Sequence, residues 1–289
     1  MTFVAEAPET KTRWPDGYWT AKDGTRLHYV HVGEGMPVVV IHGARGSAIG
    51  SWFSNGIAPR LAETNKVYAL EMRGHGLSGG ERVMHADMAA DVLAFLDEMG
   101  IEKAHIGGYS MGGQITLQMM MRWPERFITA CFQGSGAPET AEWRKKVPKD
   151  VEGRDPDEDA ANAAAEARRA ARGEAVGNDF GHRMRVAAGP WRGGEHGRRA
   201  KAAMAEMQRR QAVNFAKLDL TGIRFPVMAI NGEFDHPKMR THRFWRELTD
   251  FTNVVLPGKG HLTAMMAGYI PDLYLDAYAA FIAGHNPTA

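Results

Sequence analysis

Residues 107–113 read GGYSMGG, and they place Ser110 among small residues in the middle of a strand-to-helix pattern. The apolar run KAHI precedes this stretch, and the helix-like run QITLQMMMRW follows it. A G-x-S-x-G sequence at such a junction predicts a sharp turn in which the serine backbone is strained. Gly108 and Gly112 are then small because larger side chains would clash with the neighbouring strand and helix. The turn exposes the hydroxyl at the carboxyl end of the strand, where open parallel sheets bind ligands.

Short apolar runs alternate with helical patterns on both sides of this turn. Strands are predicted at residues 26–33, 36–43, 66–74, 103–110 and 127–135, and again at 225–235 and 252–260. Helices are predicted at residues 84–100, from 111 to about 124, at 239–248 and at 269–284. This alternation predicts an α/β fold, with a mostly parallel, twisted sheet and helices on both of its faces.

The alternation stops between residues 137 and 214. This segment contains no strand-like run and is rich in Ala, Arg, Glu and Asp, as in DEDAANAAAEARRAARGEA. Such a composition favours helix. We therefore predict a core domain formed by residues 1–136 and 215–289, with a helical insertion at 137–214.

Composition excludes several classes of function. The 289-residue chain has a net charge of +1, which gives no basic field for nucleic acid. Its one cysteine, Cys131, lies in the apolar run FITACF and predicts a packed thiol, with neither a disulfide nor a cysteine metal cluster. No apolar run approaches the ~18 residues of a membrane span, and the first residues lack the pattern of a signal peptide. We expect a cytoplasmic protein without membrane insertion.

A serine hydroxyl needs a base to take its proton and a carboxylate to orient that base. In this kind of fold the chain order is serine, acid, histidine. Asp235 follows the strand pattern of MAINGEFD, and His261 follows the next strand in PGKGHLT. Both residues are therefore expected at the carboxyl ends of strands, at the same edge of the sheet as Ser110.

Other carboxylates and histidines compete for these roles. Glu233 is two residues from Asp235 and could replace it, but Asp235 comes later in the loop. Asp219 and Asp250 precede strands and lie at the wrong edge. Among the 12 histidines, His105 is inside a strand and is expected to be packed or hydrogen-bonded.

The oxyanion of an acyl-transfer reaction needs preorganised donors, each worth about 3 kcal/mol. We expect one to be the backbone amide of Met111, next to the nucleophile. The other should be the amide of Ala44, in the loop after VVVIHG, where Gly43 lets the backbone come close.

Five segments together resemble the α/β-hydrolase fold family: VVVIHG, EMRGHGLSGG, GGYSMGGQ, INGEFDHP and PGKGHL. The resemblance covers nearly the whole chain apart from residues 137–214, which correspond to the variable helical cap of that family. It implies a serine hydrolase with a Ser110–His261–Asp235 triad and no metal or organic cofactor. The same resemblance implies that Arg73 and His75 of RGHGLS shape a loop and have no catalytic role.

Differences within the family narrow the range of reactions expected for this chain. Epoxide hydrolases and haloalkane dehalogenases resemble this core but carry Asp where this chain has Ser110. Relatives that hydrolyse carbon–carbon bonds often have Asn where Tyr109 stands, perhydrolase-like members often have Phe there, and proline iminopeptidases often have Trp at the position of Met111. The resemblance that remains is to carboxylesterases and lactonases.

Four residues are candidates for substrate binding. Arg45, beside the oxyanion loop, would favour an acidic acyl group, although a solvated arginine explains it equally well. Tyr109 adjoins the nucleophile, and Trp143 and Trp191 are aromatic residues of the predicted cap, where such side chains line pockets.

The sequence thus predicts hydrolysis of a small-molecule ester or lactone. Two alternatives stay open: a carbon–carbon hydrolase or lyase on the same triad, and a non-catalytic small-molecule receptor on the same fold. The oligomeric state is open between a monomer and a homodimer.

Overall fold

The computed structural model describes residues 13–81, 84–140, 142, 219–235 and 237–287. Its strands are β1 Asp16–Thr20, β2 Arg26–Val32, β3 Met36–Ile41, β4 Asn65–Leu70, β5 Ala104–Tyr109, β6 Phe127–Gln133, β7 Val227–Gly232 and β8 Phe251–Leu256. Its α-helices over these residues are α1 Ile57–Leu61, α2 His85–Glu98, α3 Met111–Arg122, α4 Pro237–Glu247 and α5 Asp272–Gly284.

The eight strands form one sheet in the order β1-β2-β4-β3-β5-β6-β7-β8. Strand β3 pairs in parallel with β4 and β5, and β7 pairs in parallel with β8, while the β1–β2 and β2–β4 pairs are antiparallel. The buried, β-branched run Val38–Ile41 fills β3, as expected for a strand covered on both faces. The predicted α/β class, with a mostly parallel sheet, is confirmed.

Two compact units divide the chain, one formed by Met1–Cys131 with Leu275–Ala289 and the other by Phe132–Tyr274. In the first unit, Trp19 and Tyr29 pack against the Phe95 ring of α2, with ring centroids 5.3 and 5.2 Å away. In the second unit, Phe244 of α4 packs against Phe132 and Phe251, at 4.8 and 5.4 Å. Each unit therefore has its own aromatic core.

Two elements escape the sequence prediction, and several strands end before their predicted limits. Strand β1 buries only Trp19, so its sequence has no alternating apolar pattern that would predict a strand. Its pairing with β2 stabilises it. Helix α1 has five residues, too few for a helical period to show. Strand β4 ends at Leu70 instead of residue 74, and β8 ends at Leu256 instead of residue 260. The predicted insertion at 137–214 falls almost entirely outside the described residues.

Candidate active site

Ser110 has φ 54° and ψ −107°, and it is the one non-glycine residue with positive φ in the described part of the chain. It links β5 directly to α3, so no loop separates the strand from the helix. A non-glycine residue held in this region of φ/ψ space costs about 1–3 kcal/mol, and such residues cluster at functional sites.

The two glycines of the motif make this turn sterically feasible. A Cβ atom on Gly108 would lie 2.2 Å from the carbonyl carbon of Gly112, and one on Gly112 would lie 2.0 Å from the carbonyl oxygen of Ile41. Both obstacles are backbone atoms, which cannot rotate away. The close approach of β5, α3 and the end of β3 therefore requires glycine at both positions.

The loop after β3 runs beside Ser110. A tight turn is closed by the Gly46 amide, which donates to the Gly43 carbonyl oxygen at 2.8 Å. A Cβ on Gly43 would lie 2.8 Å from the Tyr109 ring and 3.5 Å from Ser110 Cβ. Glycine at 43 thus lets the loop reach the nucleophile, and the Tyr109 ring packs on the backbone of this loop.

The two amides expected to bind an oxyanion are available. Among the described residues, neither the Ala44 N–H nor the Met111 N–H has a hydrogen-bond partner. The Met111 amide opens α3, whose first N–H groups have no acceptor within the helix and lie at the positive end of its dipole. The Met111 amide directly follows Ser110 in the chain. The Ala44 amide follows Gly43, whose backbone comes close to Ser110.

Glu71 supports the candidate oxyanion loop after β3, and the sequence analysis missed it. Its buried carboxylate accepts hydrogen bonds from the Ala48 amide at 3.0 Å and the Leu77 amide at 2.7 Å, and so joins the two loops. Burial by itself raises the pKa of Glu71, but His28 and these two amides outweigh it and lower the pKa below its ordinary value. The carboxylate therefore stays charged beneath the loop.

His28 completes this network between two carboxylates. Its Nδ1 lies 3.0 Å from Glu71 Oε2, and its Nε2 lies 3.2 Å from Asp16 Oδ2. Burial lowers the pKa of His28, but the two carboxylate partners outweigh it and raise the pKa above its ordinary value. A doubly protonated ring donates to both partners at once, whereas a neutral ring donates to only one.

The RGHGLS segment has the structural role expected for it. Arg73 donates to both carboxylate oxygens of Asp91 at 2.6 and 2.7 Å and also pairs with Asp23. The His75 ring lies between two carbonyl oxygens, with Nδ1 2.8 Å from Arg73 O and Nε2 3.0 Å from Ala44 O. His75 therefore also contacts Ala44, the residue whose amide is predicted to bind the oxyanion.

In the second unit, Asp235 and His261 are brought together. His261 Nδ1 lies 2.7 Å from Asp235 Oδ2, and Asp235 is buried after the end of β7. Glu233, the competing acid, is exposed and accepts the Gly258 amide at 2.6 Å instead. Arg240 of α4 donates to the other oxygen of Asp235, at 2.9 Å, a contact that sequence reasoning missed.

The predicted residues thus fall into three groups. Ser110, Ala44, Arg45, Tyr109 and Met111 belong to the first unit, whereas Asp235 and His261 belong to the second. Arg45 is exposed, in keeping with a solvated arginine. Trp143 and Trp191 lie outside the described residues.

Within the described ranges, no group of three or more His, Cys, Asp or Glu side chains is arranged to hold a metal ion. None of the helices in these ranges combines the length and apolar character needed to cross a bilayer. Cys131 is buried.

Comparison with known proteins gives a family match. A family model described as alpha/beta hydrolase fold matches residues 36–265, well over half of the chain. Among solved structures, the meta-cleavage product hydrolase from Pseudomonas fluorescens IP01 superposes with a TM-score of 0.65 at 21% identity, covering 93% of this chain and 98% of that one. At this identity the superposition supports the fold alone.

Curated relatives match over shorter segments. The acetyltransferase component of the acetoin cleaving system of Pseudomonas putida is 34% identical over 128 residues, 43% of this chain and 34% of that protein. Bifunctional epoxide hydrolase 2 of Sus scrofa is 34% identical over 116 residues, which is 38% of this chain and 20% of that protein. The 2-hydroxymuconate semialdehyde hydrolase of Pseudomonas sp. (strain CF600) is 35% identical over 118 residues, which is 39% of this chain and 41% of that protein. The matches thus span less than half of each relative.

Proposed function

Because the chain belongs to the α/β-hydrolase fold family, we propose that it is a serine hydrolase that cleaves a carboxylic ester or lactone through an acyl-enzyme. The observation that carries this proposal is the backbone of Ser110, which has positive φ at the junction of β5 and α3. Over the described residues, the Ala44 and Met111 amides also have no hydrogen-bond partner. A serine in a purely structural turn has no need for this strain. The strain is accounted for if the hydroxyl must project from the sheet.

The reaction follows from the roles of the side chains. Ser110 Oγ attacks the carbonyl carbon while His261 Nε2 takes the hydroxyl proton, and Asp235 on Nδ1 orients the ring and stabilises the imidazolium. The amides of Ala44 and Met111 bind the oxyanion of the tetrahedral intermediate. The imidazolium then protonates the leaving alcohol as the carbon–oxygen bond breaks. Water, deprotonated by His261, releases the acid and restores Ser110.

Carbon–carbon bond hydrolysis is the second candidate. The match to 2-hydroxymuconate semialdehyde hydrolase favours it, and the same triad would serve such a reaction. Tyr109 argues against it, because relatives with this activity often carry Asn at that position. The match to an epoxide hydrolase carries less weight, because that chemistry uses an aspartate nucleophile where this chain has Ser110.

The test combines labelling with turnover. Wild type is expected to hydrolyse members of a panel of p-nitrophenyl esters and lactones, and a fluorophosphonate probe is expected to label the Ser110 peptide. Ser110→Ala should lose both, with kcat falling by about ten-thousand-fold or more. Ser54→Ala, which changes an exposed serine in another turn, is the control and should keep both.

Three results would redirect the proposal. A Ser110→Ala variant with near wild-type turnover refutes the nucleophile. Activity on a vinylogous diketone without activity on esters supports the carbon–carbon hydrolase. Failure of wild type to take up the probe, with no turnover of any substrate in the panel, supports a small-molecule receptor.

A further inference from the structure

Arg240 holds Asp235 at two points. Its Nε donates to the carbonyl oxygen of Asp235 at 2.8 Å, and its Nη2 donates to Oδ1 at 2.9 Å. The other carboxylate oxygen, Oδ2, faces His261 Nδ1 at 2.7 Å. The carboxylate therefore lies between a guanidinium and an imidazole, and one arginine binds both the main chain and the side chain of the same residue.

We propose that Arg240 is a positioning residue for the Asp235–His261 pair, fixing the carboxylate toward the imidazole. The catalytic meaning of this role rests on the proposed hydrolase function. The role itself concerns only contacts within the second unit, so it can be tested apart from that function.

The need for such a residue follows from the local geometry. The Asp235 amide donates to the Gly232 carbonyl at 3.0 Å, which fixes the backbone but not the carboxylate. Within the described residues, Arg240 is the sole donor to Oδ1. A planar guanidinium binds two acceptors in a fixed geometry, whereas a lysine ammonium acts as a point charge. Without Arg240, the carboxylate could turn away from the imidazole by rotation about its side-chain bonds.

Helix α4 offers a matched control. Arg246 pairs with both oxygens of Glu139 at 2.8 Å and with Glu247. Arg243 of the same helix pairs with Glu247 and donates to the Pro138 carbonyl. Arg246→Met thus removes an arginine and its ion pairs from the same helix without touching the candidate catalytic pair.

The experiment measures the imidazole directly. In protein with ¹⁵N-labelled histidines, the His261 Nδ1–H proton signal is assigned by its loss in His261→Gln. The hydrogen bond to Asp235 Oδ2 is expected to move this signal downfield and to slow its exchange with solvent. Arg240→Met is expected to lose the downfield signal, Arg240→Lys to keep it in weakened form, and Arg246→Met to leave it unchanged. On an ester substrate, Arg240→Met should also lower kcat about tenfold with KM within about twofold.

The outcomes separate this inference from the proposed function. An unchanged His261 Nδ1–H signal in folded Arg240→Met, or an equal change in Arg246→Met, overturns the positioning role even if wild type hydrolyses esters. A lost downfield signal in Arg240→Met, in a protein that neither labels at Ser110 nor turns over any ester, supports the role and refutes the hydrolase proposal. If Arg240→Met does not fold, Arg240→Lys replaces it: a weakened downfield signal is then expected, and a wild-type signal would count against positioning.

Discussion

Replacing Gly112 with alanine sets two effects of opposite sign against each other. Gly112 lies in the first turn of α3, and alanine in a helix is normally better than glycine by up to about 1 kcal/mol. The new Cβ, however, would lie 2.0 Å from the Ile41 carbonyl oxygen, about 1.4 Å inside the shortest ordinary contact. Relief requires α3 and β3 to move apart, and overpacking of this kind costs about 1–3 kcal/mol. We expect a net loss of about 2 kcal/mol in the free energy of unfolding.

The measurement is a urea titration of Gly112→Ala beside a helical control. Gly284 ends α5, and a Cβ there would meet no atom within 4 Å, so Gly284→Ala should gain about 0.5 kcal/mol. Because α3 carries the Met111 amide, a shift of about 1 Å should also lower kcat/KM by about a hundredfold. A Gly112→Ala variant as stable as Gly284→Ala, with full activity, would refute the steric explanation of the motif.

Two further predictions concern strain and protonation. Ser110→Gly should be about 1 kcal/mol more stable than Ser110→Ala, because glycine accepts φ 54° without strain and alanine does not; equal unfolding midpoints would mean that the turn stores no strain. Burial lowers the pKa of His105 to about 4, whereas the unfolded chain titrates near its ordinary value of 6.5. The neutral ring therefore stabilises the fold above pH 6.5, and about 3 kcal/mol is lost as the pH falls from 6.5 to 4. Urea titrations across this range should show that loss in wild type and a much flatter profile in His105→Gln; parallel profiles would contradict it.

Features that depend on neighbours in the chain could be predicted from sequence. The strand before Ser110 and the helix after it follow from short-range patterns, and the steric need for Gly108 and Gly112 follows from the turn between them. The alternation of strands and helices over the described core is confirmed for the same reason. The pairing of Asp235 with His261 could be predicted because each residue follows its own strand.

Features that depend on distant residues were missed. Glu71 is 23 residues from Ala48 and 43 from His28, so no local pattern marks it as the support of the oxyanion loop. Arg240 lies in a helix with several arginines, and only its orientation toward Asp235 distinguishes it from Arg243 and Arg246. Strand β1 was missed for a similar reason, because it is stabilised by pairing with β2 and not by an apolar pattern in its own residues.

The contacts of Pro138 and Glu139 with α4 bear on how chimeric proteins should be built. His242 and Arg246 both bind the Glu139 carboxylate, at 2.7 and 2.8 Å, and Arg243 binds the Pro138 carbonyl. A foreign segment joined at residue 137 in place of the predicted cap would remove the Glu139 carboxylate and leave His242 and Arg246 without it. A junction placed after Glu139 keeps this anchor in the recipient, so the predicted cap can be exchanged without redesigning α4.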